Sequence, residues 1–280
     1  MKLINLATVW LQLSLVQIQC RDEGQQSETT DTSKKISNHS NEITTKMKNE
    51  KSSQTNPPKP STIYNGEIAG KYEFPYIVAI SNVTLETYLY AAGVIINSKW
   101  IITAKHVARN GYLGDGIVVT PKYDNERTNL KEKLKYLVID YFCPQHSVFA
   151  DIALMKLKKE LPLERGPTKF KKIRLIQANH RLHTNEIVTV AGWGFVNATK
   201  GPGPISGTVS NDLRKADIKV RPEGECAPYD RFSSPEKFCS SGDSKGVCYG
   251  DSGGPVVIRG ESPSKDILVG IVTGGGKRCL

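Results

Sequence analysis

At 280 residues the chain has room for one large domain or two small ones, and its 38 basic against 28 acidic side chains leave it strongly basic. Six cysteines are too few for a disulfide-built miniprotein, though enough for two or three crosslinks in an oxidising compartment. No nucleic-acid recognition motif accompanies the charge, which excludes sequence-specific nucleic-acid binding as the leading reading. The runs Lys131-Lys133-Lys135, Lys156-Lys158-Lys159 and Lys169–Arg174 read as a solvated basic face, with an anionic glycan or membrane surface as the alternative partner.

The first element is a leader. Lys2 supplies a positive charge, an apolar stretch follows from Leu3 to about Ile18, and polarity rises at Arg21-Asp22-Glu23. That pattern predicts a secretory signal peptide over residues 1–20 with cleavage near Cys20, and hence an extracellular product. The run is short for a membrane span and is broken by Gln12 and Gln17, and no later segment is apolar enough to cross a bilayer. Sequons at Asn38-His39-Ser40, Asn82-Val83-Thr84 and Asn197-Ala198-Thr199 fit export and glycosylation. Residues 21–62 are rich in Ser, Thr, Asn, Lys and Glu and end in Pro57-Pro58-Lys59-Pro60. Such a stretch cannot bury enough apolar surface to offset its ordering entropy, so it reads as a disordered propeptide or linker.

From Ile63 to Leu280 short β-prone runs recur between Gly, Pro, Asn and Asp. They are Ile77–Ile80, Tyr88–Ile96, Ile117–Thr120, Lys135–Asp140, Ile187–Ala191, Ile218–Val220, Val256–Arg259 and Ile267–Thr273, with further apolar strands around Trp100-Ile101-Ile102 and after Asp151. Few stretches show a helical period, so the domain is all-β, a sandwich or barrel or a pair of small barrels.

Three local signals carry chemistry. In Gly250-Asp251-Ser252-Gly253-Gly254-Pro255 the glycines let the backbone pass close to a substrate carbonyl, and the amides of Gly250 and Ser252 are candidate donors to an oxyanion. In Thr103-Ala104-Lys105-His106-Val107 the imidazole is the side chain whose proton affinity suits a base near neutral pH. In Asp151-Ile152-Ala153-Leu154-Met155-Lys156-Leu157 a carboxylate opens an apolar strand, where it needs a partner such as an imidazole N–H.

In the order His106, Asp151, Ser252 these motifs resemble the trypsin/chymotrypsin-like serine peptidase family. Ile63-Tyr64-Asn65-Gly66 with Phe74-Pro75-Tyr76 resembles the family's mature N-terminus, Gly93-Val94-Ile95-Ile96-Asn97-Ser98 with Trp100 resembles the run before its histidine, and Ala191-Gly192-Trp193-Gly194 matches a further signature. The resemblance implies two packed six-stranded antiparallel barrels over residues 63–280, and a serine endopeptidase with Ser252 as nucleophile, His106 as base and Asp151 as orienter of the base. It implies no metal and no cofactor. Its partners would be a protein or peptide substrate, an activating protease and protein inhibitors, and the chain would be a monomer. It further implies the bridges Cys226–Cys239 and Cys248–Cys279, with the bridge beside the histidine replaced by Ala91 and Val107. Cys20 leaves with the leader, and Cys143 is then a buried small hydrophobe or one half of an intermolecular bridge.

By the same resemblance Gly246, Thr273 and Gly275 line the substrate pocket, with Gly276 beside Gly275. Gly246 carries no charge where trypsin-like members have Asp, so cleavage after uncharged residues is expected. Thr273 stands where Ser is usual and would bond Asp151, while Gly274 replaces an aromatic residue. Activation of the zymogen would free the α-ammonium of Ile63 to pair with Asp251, although Thr62 is not the usual basic residue. Lys105 stands where a small residue is usual, so it either crowds the histidine or points to solvent. Ending at Cys279-Leu280, the chain lacks the family's last strand and helix, which predicts a second barrel with an exposed edge. A reading from another class is a catalytically silent homologue, acting by binding as a cascade cofactor or secreted effector.

Overall fold

The computed structural model describes residues 2–5, 63, 66–82, 89–112, 117–121, 135–144, 150–164, 170–178, 180–195, 210, 212–222, 225, 237–241 and 245–275. All of these belong to one compact unit, and the stretch read as propeptide or linker lies outside the described residues. In chain order the elements are β1 (Lys2–Asn5), β2 (Glu67–Ile68), β3 (Ile77–Asn82), β4 (Leu89–Ile95), β5 (Trp100–Thr103), α1 (Lys105–Tyr112), β6 (Ile117–Pro121), β7 (Tyr136–Phe142), β8 (Ala153–Leu157), β9 (Arg174–Leu175), β10 (Ile187–Gly192), β11 (Arg214–Val220), β12 (Lys237–Ser241), β13 (Pro255–Ile258) and β14 (Ile267–Gly274). The fold is all-β, as the recurrence of short β-prone runs requires.

The first barrel is closed in the order β3-β4-β5-β8-β7-β6, every pair antiparallel. β3 and β4 are buried on both faces, from Ile77 to Ser81 and from Ala91 to Ile95, while β8 shows the period of two of a half-buried strand. On β8 Ala153, Met155 and Leu157 are buried while Leu154 and Lys156 are less so, and the Lys156 ammonium lies over the Trp100 ring. The second sheet runs β12-β11-β10-β13-β14; β11 alternates, burying Ala216, Ile218 and Val220 and exposing Asp217 and Lys219, while β10, β13 and β14 are largely buried. Short β2 extends the edge of β11, and β9 joins β14 in a parallel pair. β1 pairs with both β12 and β14, so this sheet also closes into a ring. Where a bare edge is expected, backbone from the leader-like segment makes the ladder.

Between the barrels lies a cluster of fully and partly buried charges. Tyr76 Oη donates to Asp266 Oδ2 at 2.6 Å, and Asp266 has no solvent exposure. Arg259 spans Asp266 and Glu73 and stacks over Phe74, while Lys215 Nζ donates to Glu73 at 2.6 Å. Burying Asp266 would be costly alone, and these donors supply the partners it needs.

Candidate active site

Strand register brings the histidine and the aspartate together. In the antiparallel β5–β8 pair Thr103 faces Ala153, so the chain leaving β5 runs alongside the chain entering β8. His106 lies three residues beyond Thr103, in the first turn of α1, and Asp151 lies two residues before Ala153. Asp151 Oδ1 accepts the His106 backbone N–H at 2.9 Å, and Oδ2 stands 2.7 Å from His106 Nδ1. One carboxylate thus satisfies an orphan amide of the helix start and orients the imidazole. With Nδ1–H directed at Asp151, the neutral ring keeps Nε2 as an acceptor.

Ser252 sits in the turn before β13, and two glycines shape that turn. Gly250 and Gly253 have φ of 95° and 78°, the left-handed region that glycine enters without a Cβ penalty. A Cβ on Gly253 would lie 2.1 Å from both the Ala92 carbonyl oxygen and Thr103 Oγ1, so this turn presses directly on the chain that leads to His106. Thr103 Oγ1 itself donates to Ala92 O at 2.8 Å, and Ala92 N–H donates to Ser252 O at 2.8 Å. Gly253 N–H in turn donates to Val272 O at 2.7 Å. The serine is therefore tied to the first barrel through β4 and to the second through β14. Ser252 Oγ and His106 make no direct hydrogen bond among the described residues. The amides of Gly250 and Ser252 carry no partner among the described residues, which leaves both for a carbonyl oxygen.

Asp251 is fully buried. Its carboxylate accepts N–H groups from Gly194 and Cys248, each at 2.8 Å. Desolvation pushes its pKa up to about 6 against the lowering effect of those two amides. The glycines of the Ala191–Gly194 signature have a physical reason here. A Cβ on Gly192 or Gly194 would come within 2.1 Å or 2.5 Å of the Asp251 carboxylate. Ile63 is buried with φ of 37°, which is strained for a β-branched residue. In this uncut chain Asp251 is held by backbone amides, with no ammonium partner among the described residues.

The residues expected to line a substrate pocket carry no charge. Gly246 and Val247 are buried, and a Cβ on Gly275 would lie 2.7 Å from the Val247 carbonyl oxygen, so the two segments approach closely. Thr273 corrects the expectation placed on it. Its Oγ1 is buried without a hydrogen-bond partner, so it makes no bond to Asp151, whose carboxylate is directed at His106. Gly276 lies outside the described residues.

The cysteines bring a second correction. Cys143 is buried, as a small hydrophobe would be, yet it is disulfide-bonded, as are Cys239 and Cys248. Among the described residues no cysteine is free. The expected partners Cys226 and Cys279 lie outside the described residues. No cluster of three or more His, Cys, Asp or Glu side chains fit to hold a metal occurs among the described residues, and no described helix is long and apolar enough to cross a membrane.

A closed antiparallel barrel joined to a second ring, with a histidine–aspartate pair and a glycine-flanked serine between them, defines the chymotrypsin-like class of fold. Solved structures agree: neuropsin, a serine protease of mouse brain, superposes with a TM-score of 0.61 at 20% identity over 77% of this chain and 88% of its own. Human heparin binding protein gives 0.61 at 18% identity over 77% and 86%. In sequence, a venom serine protease of Polistes dominula is 28% identical over 77% of this chain and 77% of its own length, and human kallikrein-4 is 27% identical over 78% and 79%. The trypsin family model matches residues 63–280. The chain belongs to the trypsin family, and by that membership it is a hydrolase of the serine endopeptidase class.

Proposed function

We propose that this chain is an active, secreted endopeptidase that cleaves after uncharged side chains, with Ser252 as nucleophile, His106 as general base and Asp151 as its orienting partner. The observation that carries the reading is the two-point grip of Asp151 on the histidine, at 2.9 Å to the backbone amide and 2.7 Å to Nδ1. It aims Nε2 away from the carboxylate as a proton acceptor. Ser252 Oγ attacks the scissile carbonyl while Nε2 takes the hydroxyl proton, and Asp151 stabilises the imidazolium. The carbonyl oxygen, now an oxyanion, receives the Gly250 and Ser252 N–H groups. Collapse returns the proton to the leaving amine and leaves an acyl-serine. His106 then takes a proton from water, whose oxygen attacks the ester, and the imidazolium returns that proton to Ser252 Oγ as the acid leaves.

Gly246 and Val247 offer no carboxylate to a cationic side chain, which supports the preference for uncharged residues. Activation is read as cleavage before Ile63, whose new ammonium would meet Asp251. The desolvated carboxylate and the strained Ile63 backbone both favour that change. The substrates would be extracellular proteins or peptides, with an activating protease and protein inhibitors as further partners and the monomer as working unit. The second reading, a silent homologue that acts by binding, draws on Thr62 standing ahead of Ile63 in place of a basic residue.

The test is labelling of protein started at Ile63 with a fluorophosphonate. Stoichiometric label that vanishes in Ser252→Ala supports the enzyme, and an unlabelled, folded wild type selects the silent homologue. Peptide substrates with Ala, Val, Phe, Arg or Lys before the cleaved bond test the pocket, and preferential cleavage after Arg would sink the uncharged-pocket reading.

A further inference from the structure

The segment that follows Ile63 is tied to the second sheet by charge as well as by backbone. Its strand β2 offers two ladder pairs to β11, Glu67 with Lys215 and Ile68 with Arg214, and both of its residues are exposed. Ala69 N–H donates to Leu213 O at 2.8 Å, and Arg214 Nη1 to Gly66 O at 3.0 Å. So short an edge strand holds weakly by itself. Glu73 adds a second grip. Its Oε1 accepts Lys215 Nζ at 2.6 Å and Arg259 Nη1 at 2.9 Å, while Oε2 accepts the Gly70 N–H at 2.7 Å and closes the turn. The Lys215 ammonium also stands 3.5 Å from Glu67 Oε1, so one lysine of β11 holds the segment at two points. Arg259, just beyond β13, is fixed in turn by buried Asp266, which also accepts the Tyr76 hydroxyl. Against the desolvation of partial burial, the hydrogen bonds from Lys215, Gly70 and Arg259 hold the Glu73 carboxyl below its ordinary pKa, so it is ionised at neutral pH.

This grip fixes where a new N-terminus starts. Glu67, Lys215 and Ala191 stand side by side on β2, β11 and β10, as do Ile68, Arg214 and Gly192. Two strand spacings, ~10 Å, therefore separate β2 from the Gly192 backbone. That backbone borders Asp251, since a Cβ on Gly192 would lie 2.1 Å from Oδ1. A cut before Ile63 leaves four residues ahead of Glu67. Their reach is at most ~14 Å, so the ammonium arrives at Asp251 only if the Glu67 row stays in place.

We infer that Glu73 is a positioning residue for activation: clasped by Lys215 and Arg259, it anchors residues 66–76 so that the ammonium freed at Ile63 is delivered to Asp251. The inference rests on the reading of activation as a cut before Ile63. Glu73 acts through Asp251, whose neighbours Gly250 and Ser252 carry the candidate oxyanion amides.

The test uses the secreted full chain with an enteropeptidase site installed ahead of Ile63. After the cut, brief treatment with cyanate carbamylates any α-amine that is free, and mass spectrometry of the Ile63–Lys71 peptide reads the extent. This readout needs no catalysis. The wild-type amine is expected to be protected. Glu73→Gln is expected to raise its carbamylation rate at least ~10-fold, the scale of a lost charge-assisted hydrogen bond, and to slow fluorophosphonate labelling, while amides of β10 and β13 keep their hydrogen-exchange protection. Lys215→Arg, which keeps the charge, is expected to retain the protected amine, as is Glu160→Gln, which cuts an exposed pair with Lys99. If Glu73→Gln does not fold, Lys215→Gln decides by the same readouts. Equal protection in wild type and variant overturns the inference and leaves the activation reading standing. In a folded variant, loss of exchange protection across β10 and β13 overturns it too, because the cluster is then a general prop of the fold. A wild-type amine that reacts as fast as that of the free peptide overturns the activation reading, and the clasp with it.

Discussion

The buried carboxylate of Asp251 makes the uncut chain sensitive to pH in a calculable direction. Burial raises its pKa from 3.8 to about 6. A carboxylic acid whose folded pKa lies above its unfolded value binds protons more tightly in the folded state. Its contribution to stability is full below pH 3.8 and is lost as the pH rises through about 6. A shift of about two units, at ~1.4 kcal/mol each, makes that loss ~3 kcal/mol. The perturbation is Asp251→Asn in a Ser252→Ala background, which removes the titration and prevents self-cleavage. The asparagine sacrifices one acceptor for the Gly194 and Cys248 amides, a cost that does not vary with pH. Urea unfolding at intervals from pH 3.5 to pH 7.5 should show the stability difference between the two proteins changing by roughly 3 kcal/mol in favour of the asparagine variant as pH rises. A difference that stays flat across that range would refute the account of Asp251 as a desolvated acid held only by amides. In protein started at Ile63, an ammonium on the carboxylate would lower its pKa and flatten or reverse the slope, so the same titration would report that pairing.

Asp151→Asn should keep the fold, because an amide oxygen can still cap α1, but should lower kcat by about 10^4-fold by favouring the wrong imidazole tautomer, as measured on a chromogenic peptide. Gly253→Ala should destabilise the domain by roughly 2–5 kcal/mol, combining a left-handed alanine with overlap against Ala92 O and Thr103 Oγ1. A fall in Tm of about 2–4 °C for each kcal/mol is the readout, and Gly70→Ala, whose Cβ would meet nothing closer than the flexible Glu73 carboxylate at 3.3 Å, is the mild comparison. Cys143 should resist alkylation under native, non-reducing conditions and appear in a crosslinked peptide on mapping; a free thiol there would contradict its bonded state.

Much of the fold was readable because the physics that specifies it is local. The runs at Ile77–Ile80, Ile117–Thr120 and Ile187–Ala191 are dense in β-branched residues, and the strands there match within two residues. β12 escaped notice because Lys-Phe-Cys-Ser-Ser alternates weakly and owes its place to neighbours on either side. The helix α1 is too short for a visible period and begins where Asp151, 45 residues away, supplies a cap. The bonded state of Cys143 was not legible in the sequence, because the resemblance paired Cys226 with Cys239 and Cys248 with Cys279 and offered no partner for it. Thr273 was assigned to Asp151 on resemblance, and only coordinates reveal that its buried Oγ1 makes no hydrogen bond to that carboxylate.

By itself the amino-acid sequence determined the family and the all-β class and put forward His106, Asp151 and Ser252 as candidates, because each motif is a short string whose residue types the chemistry demands. The tertiary structure alone decided how those strings meet: the β5–β8 register that sets Asp151 under His106, the left-handed Gly253 that presses the serine turn on Thr103, and the glycine space that admits the Asp251 carboxylate. It also seated Lys2–Asn5 between β12 and β14. Such contacts join residues far apart along the chain, and closing those loops depends on the packing of the whole domain, which no local pattern encodes.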